Sequence, residues 1–109
     1  MWDGRVSGAG NRVRLDLNSP EFQDVFFRLE SAELKQVVRS LRRLTDLDWN
    51  TLYRHTGFQW EAIRHIKAPS GANTYSLRLS QKIRAVAYRD GDFLRLLSLH
   101  PDHDSAYER

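Results

Sequence analysis

The 109-residue chain has no cysteine and a single methionine. Without cysteine there are no disulfides, no zinc–thiolate sites and no thiol nucleophile, a composition compatible with the reducing cytosol. Proline is scarce, at three residues, and no apolar run approaches the ~18 residues that a membrane helix needs. The opening "MWDGRVSGAG" lacks the zones of a signal peptide. No glycine-rich phosphate loop and no Gly-x-Ser-x-Gly elbow occurs, which disfavours nucleotide hydrolysis and serine-hydrolase chemistry. Repeats and low-complexity segments are also missing.

What is present suits one small globular unit. Hydrophobic residues make up 40% of the chain and charged residues 28%. At this size folding buries roughly two-thirds of the unfolded surface, so no disulfide or metal staple is required. Seventeen lysines and arginines against 14 acidic residues leave a net charge of +3. That excess leans towards an anionic partner, a nucleic acid or an acidic protein segment, although many basic domains bind neither. The expected setting is the cytoplasm of a bacterial type of cell.

Residues 1–10 hold three glycines and little periodicity, and are expected to be a flexible N-terminal segment, with 11–109 forming a single domain. Val13, Leu15 and Leu17 alternate with Arg12, Arg14 and Asp16, the period of a half-buried strand. "NSPEF" then starts a helix: Asn18 or Ser19 can cap it, Pro20 tolerates the first turn, and Phe22, Val25, Phe26 and Leu29 form one stripe. Ser31 can cap a second helix whose buried face is Leu34, Val37, Val38, Leu41 and Leu44. The two helices are expected to form an αα-hairpin. A third, short helix follows, with Asp48 as its cap and Gly57 as a left-handed exit.

From Phe58 the period changes from 3.6 to 2. "FQWEAIRHI" reads as a strand, and "KAPSGAN" as a loop. "TYSLRLS" sets Tyr75, Leu77 and Leu79 against Ser76, Arg78 and Ser80. "KIRAVAYR" sets Ile83, Ala85 and Ala87 against Arg84, Val86 and Tyr88. Asp90-Gly91 makes a hairpin turn before the last strand, "FLRLLSLH". The fold class is therefore α+β: an N-terminal strand, an αα-hairpin, then an antiparallel sheet of three to four strands, with helices on one face.

Residues 75–107 resemble the sheet of the RelE/ParE superfamily, the toxins of type II toxin–antitoxin pairs. Tyr75, Leu77, Arg78 and Leu79 match one recurring run. Arg84, Ala85, Val86 and Tyr88 match a second, and Asp90, Gly91, Leu94, Leu96 and Leu99 match the turn and strand that follow. The ending "HDSAY" is similar to the ribonuclease members, and His103 and Tyr107 fall on the His-x-x-x-[Phe/Tyr] of the YafQ-like branch. The chain also departs from the RelE prototype. Ser76 and Arg78 stand where that protein has two lysines, and Asp102 or His103 stands in the region of its C-terminal arginine.

The resemblance implies an endoribonuclease that cuts messenger RNA without a metal or other cofactor, in partnership with the ribosome, and is neutralised by a cognate antitoxin. Such cleavage uses the 2′-hydroxyl as nucleophile and needs a base, a cation for the phosphate, and an acid for the leaving 5′-oxygen. Histidine suits proton transfer, since its ordinary pKa is about 6.5. His103 is the first candidate and His100 the second; each could equally be a plain polar residue at a strand end. Arg84 is expected to clamp the scissile phosphate with Arg78 beside it, unless both only line a solvated sheet face. Tyr107 could stack on a base, hydrogen-bond near the phosphate, or close the sheet edge as an apolar lid.

Lys82, Lys67 and Arg64 are candidate contacts to the RNA backbone. Arg39, Arg42 and Arg43 are read as a solvated helix face, and Trp49 and Trp60 as core. His100, Asp102, His103 and Asp104 have metal-capable chemistry, but a short loop without a helical frame rarely closes around one ion, and no metal is expected. A non-catalytic binding module, either a ParE-like gyrase inhibitor or a degenerate toxin that only binds an antitoxin, is the competing reading.

Overall fold

A computed structural model describes residues 11–101. The segment 1–10 and the tail bearing His103 and Tyr107 lie outside the described residues. The fold is α+β: among the described residues, three helices accompany one five-stranded sheet of order β1-β5-β4-β3-β2. None of the helices is long and apolar enough to cross a membrane.

The first strand, β1 (Arg14–Asp16), is short but follows the expected alternation. Val13 is buried, and Leu15 and Leu17 pack against the core. It pairs in parallel with β5 (Phe93–His100), Arg14 opposite Phe93 and Asp16 opposite Arg95. The sheet is therefore mixed: the expected antiparallel strands gain the N-terminal strand as a parallel edge, a direction that the periodicity had left open. Period 2 reports which face is buried and carries no information about strand direction.

Helix α1 (Pro20–Phe26) is capped by Ser19, whose hydroxyl accepts from the Phe22 N–H at 3.5 Å and donates to the Leu97 carbonyl at 2.7 Å. One side chain thus satisfies a helix start and ties it to β5. Four residues, 27–30, separate α1 from α2 (Ser31–Leu44), and α1 rests chiefly on β5 rather than on α2. Glu30, not Ser31, occupies the cap position of α2, with no side-chain cap bond. Val37, Ser40, Leu41 and Leu44 are buried, whereas Val38 is 38% exposed. The expected stripe was too wide, because Val38 lies on the flank of the seam and Leu34 is only half-buried.

Asp48 caps α3 (Trp49–Arg54), its Oδ1 accepting from the Thr51 N–H at 2.7 Å. The left-handed residue after this helix is Gln59, with φ 49°, and not Gly57. At Gly57 a Cβ would sit 2.9 Å from the His55 ring, so a side chain there requires that ring to move. Phe58 is buried in the core, so β2 (Glu61–Lys67) begins three residues later than the periodicity implied.

The remaining strands are β3 (Asn73–Arg78) and β4 (Arg84–Asp90), which run antiparallel to their neighbours along with β2. Leu77, Ala85, Ala87, Leu94, Leu96 and Leu99 face the helices and are all buried. A bulge opposite Val86 and Ala87 allows both Leu96 and Leu99 to reach this core, across an odd interval. Gly91, with φ 62°, closes the β4–β5 hairpin. On the opposite face a smaller cluster joins Ile63 and Val86 to Ile66 and Leu97.

Candidate functional site

Strand register brings three of the candidate residues into one cross-strand row. Arg78 on β3 is opposite Arg84 on β4, and Arg84 is opposite His100 on β5. Directly opposed residues of an antiparallel pair project to the same face, so the row lies on the face away from the helices.

Arg84 differs from its expected role as an exposed clamp. It is only 4% exposed, and its guanidinium is held by three side chains and one carbonyl. Nη1 donates to Gln59 Oε1 at 3.0 Å, and Nη2 donates to Ser76 Oγ at 3.0 Å and to the Gln59 carbonyl at 3.4 Å. Glu61 Oε1 lies 3.5 Å from Nη2. Among the described residues its Nε has no partner. The cause is local: the left-handed turn at Gln59 folds that residue over the row, and Ser76 sits one strand away on the same face. Arg84 is a buried tie between β2, β3 and β4.

His100 is 5% exposed, with Nε2 at 2.9 Å from Ser98 Oγ. It borders a groove of about 430 Å³, together with Ser98, Lys67, Ile66, Val86 and Leu97. The start of α1, at Ser19 and Pro20, forms the other bank. This volume lies within the range of pockets that hold small organic groups, roughly 300–1,000 Å³. The groove has an apolar floor, an imidazole, two serine hydroxyls, an ammonium and, on the α1 bank, the Glu21 carboxylate. Such a lining can stack or pack a planar ring while polar groups act at one end.

The other candidates are distributed around this centre. Arg78 is half-buried, and its Nε donates to the Ser80 carbonyl at 3.2 Å. Lys67 is exposed and its ammonium donates to Asn73 Oδ1. Arg64 is exposed on β2 and lines a separate hollow with Thr74 and Tyr75. Lys82 is exposed in the β3–β4 connection. His103 and Tyr107 lie outside the described residues, which end at Pro101 directly after His100.

Trp49 is buried at 1% exposure, its indole N–H donating to the Asp92 carbonyl at 3.1 Å. Trp60 is half-buried and stacks on Tyr75 with ring centroids 4.6 Å apart. Both therefore belong to packing, as expected. Arg39, Arg42 and Arg43 are all exposed on α2. The guanidinium of Arg43 covers the Phe58 ring at 5.3 Å, an association across 15 positions that periodicity cannot reveal.

Gln59 and Ser98 escaped sequence reasoning. Neither belongs to a motif, and only the turn and the bulge bring them to the row. Arg95 was also missed: it bridges Asp16 on β1 and Asp90 at the hairpin. The Asn18 backbone N–H, and then Arg95, hold the Asp16 carboxyl below its ordinary pKa. Comparison with known proteins gives no match to a family model, a curated protein or a solved structure.

Proposed function

We propose that the protein is a RelE-like toxin of a type II toxin–antitoxin pair, an endoribonuclease that cuts messenger RNA on the ribosome. The observation that carries this reading is the groove in which His100, Ser98 and Lys67 meet an apolar floor, beside the Arg78–Arg84–His100 row. A base fits the floor, and the phosphate that follows it meets the imidazole and the ammonium.

In the proposed reaction the ribose 2′-oxygen attacks phosphorus and loses its proton to a base. The bond from phosphorus to the 5′-oxygen breaks, and an acid protonates that oxygen. The products are a 2′,3′-cyclic phosphate and a 5′-hydroxyl. His100 and His103 are the two proposed proton carriers, imidazole being the side chain whose ordinary pKa suits proton transfer. Lys67 offsets the charge on the crowded phosphate. Arg84 acts as a positioning residue that fixes β2 and β3 around the row.

The partner that neutralises it is a small antitoxin with an acidic, partly disordered segment that covers the basic face, a proposal supported by the net charge of +3. Co-expression with the product of the adjacent reading frame checks this: the two should co-purify and growth arrest should be relieved. Failure of both removes the partner from the account.

Catalysis is checked by replacing each histidine. His100→Gln keeps volume and a hydrogen bond to Ser98, and His103→Ala removes the ring. Each should lower cleavage at least ~10²-fold without loss of the folded state. Full activity in both folded variants contradicts the mechanism. Burial of Arg84 favours a second reading, a non-catalytic module that inhibits DNA gyrase or only binds an antitoxin. Intact messages together with inhibited gyrase would favour it.

A further inference from the structure

A second, smaller cleft lies where β3 ends against the helices. Its volume is about 200 Å³, and Arg43, Arg78, Phe58, Gly57, Ser80 and Gln81 are among the residues lining it. Two arginines from different elements border it: Arg43 from the last turn of α2, and Arg78 from the end of β3, whose Nε turns to the Ser80 carbonyl at the end of the sheet. Among the described residues neither has a carboxylate within ion-pair distance, whereas Arg84 and Arg95 are both paired. Uncompensated positive charge gathered in a concavity draws an anion.

Hydrogen bonding at the rim points the same way. The Gly57 N–H donates to His55 Nδ1 at 3.1 Å, and the absence of a Cβ at Gly57 is what permits this approach. In the neutral ring an accepting Nδ1 places the proton on Nε2. That Nε2–H then faces Arg43 Nη2, another donor, at 3.4 Å. Two donors side by side are satisfied together by one acceptor, and an oxyanion is the acceptor that also matches their charge. At Ser80, Oγ accepts from the Lys82 and Ile83 N–H groups at 3.3 and 3.1 Å, which leaves its own O–H to donate.

Size narrows the occupant. The cleft is below the roughly 300–1,000 Å³ typical of whole small-molecule sites, so it suits one anionic group of a longer chain. Planar guanidinium forks match phosphate oxygens. Arg78 also begins the row that ends at His100, two strand spacings or about 10 Å away. A strand held here would lead along the sheet end to the larger groove.

We propose that the cleft between Arg43 and Arg78 binds a backbone phosphate of single-stranded RNA, one that neighbours the phosphate cleaved beside His100. The inference rests on the ribonuclease reading of the larger groove and assigns Arg43, on a helix face that otherwise reads as merely solvated, to substrate binding.

The test measures anisotropy of a labelled 2′-O-methyl oligonucleotide, which cannot be cleaved, over a range of salt. Arg43→Gln and Arg78→Gln should each weaken binding about tenfold at low salt. Each should also reduce the slope of log affinity against log salt by about 0.7. Arg39→Gln, on the same helix, should bind like the parent protein. Thermal melts check that each variant is folded, and Arg43→Lys, which keeps charge without the fork, should fall between parent and Arg43→Gln. Parent-like affinity and slope in folded Arg43→Gln, or an equal loss in Arg39→Gln, overturns the cleft. Cleavage of messages on translating ribosomes is measured in parallel. Arg43-dependent binding without cleavage keeps the cleft and removes the ribonuclease reading; cleavage with Arg43-independent binding does the reverse. No binding of the oligonucleotide overturns the cleft.

Discussion

Arg84 shows how far a single residue can depart from its sequence neighbourhood. Alternation with Ala85 and Ala87 places it on the face away from the helices, and the register agrees. Its exposure depends instead on Gln59, which is 25 positions away and in a left-handed turn with no glycine to announce it. The guanidinium is consequently a structural tie rather than an open cation. Arg84→Ala should lower unfolding free energy by about 2–3 kcal/mol, since charged hydrogen bonds are lost and Ser76 loses an internal partner. Urea midpoints measure this, and a parent-like midpoint would show that the tie contributes nothing. His100 was legible as a candidate because histidine is rare here and this one ends an apolar strand. Its partners Ser98 and Lys67 were not legible as a set, because the bulge and the β2–β3 connection alone bring them to the same groove.

At the scale of elements, composition and period located every strand and helix among the described residues. Failures arose at ends, where α1 stops at Phe26 and β2 waits until Glu61; the direction of β1, parallel to β5, was left open by the period. Parallel pairing at β1 is secured by a charged clamp, with Arg95 between Asp16 and Asp90. The Asp16 carboxyl is lowered chiefly by the Asn18 N–H and further by Arg95, and the Asp48 carboxyl is lowered by the Thr51 N–H at the start of α3. A lowered folded-state value means that the stabilisation is complete above the ordinary carboxylate pKa of about 3.9 and is lost as pH falls through the lowered one. Stability should therefore fall on acidification below about pH 4, and Asp16→Asn should show a smaller difference between neutral and acid urea midpoints. An undiminished acid loss in the variant would place the acid-sensitive groups elsewhere. Leu77→Ala tests the core side of β3. A fully buried leucine on an inner strand should cost about 2–5 kcal/mol on truncation, read as a drop in melting temperature.

For the whole molecule, helices pack on one face of the sheet, and the other is the face on which the proposed chemistry would take place. Hydrophobic period alone made that division readable, because Leu77, Ala85 and Ala87 alternate with Ser76, Arg84 and Val86 along two paired strands. Which polar residues on the open face would meet was not readable. Their meeting is set by register, a bulge and one unusual backbone angle, none of which leaves a periodic trace. On the proposed function the open face is a site of RNA cleavage. The most direct measurement is to incubate purified protein, parent and His100→Gln, with translating ribosomes and to map the ends of the messages. The parent should generate cuts with 5′-hydroxyl and 2′,3′-cyclic phosphate ends, reduced at least ~10²-fold in His100→Gln. Messages left intact by the folded parent protein would contradict the account.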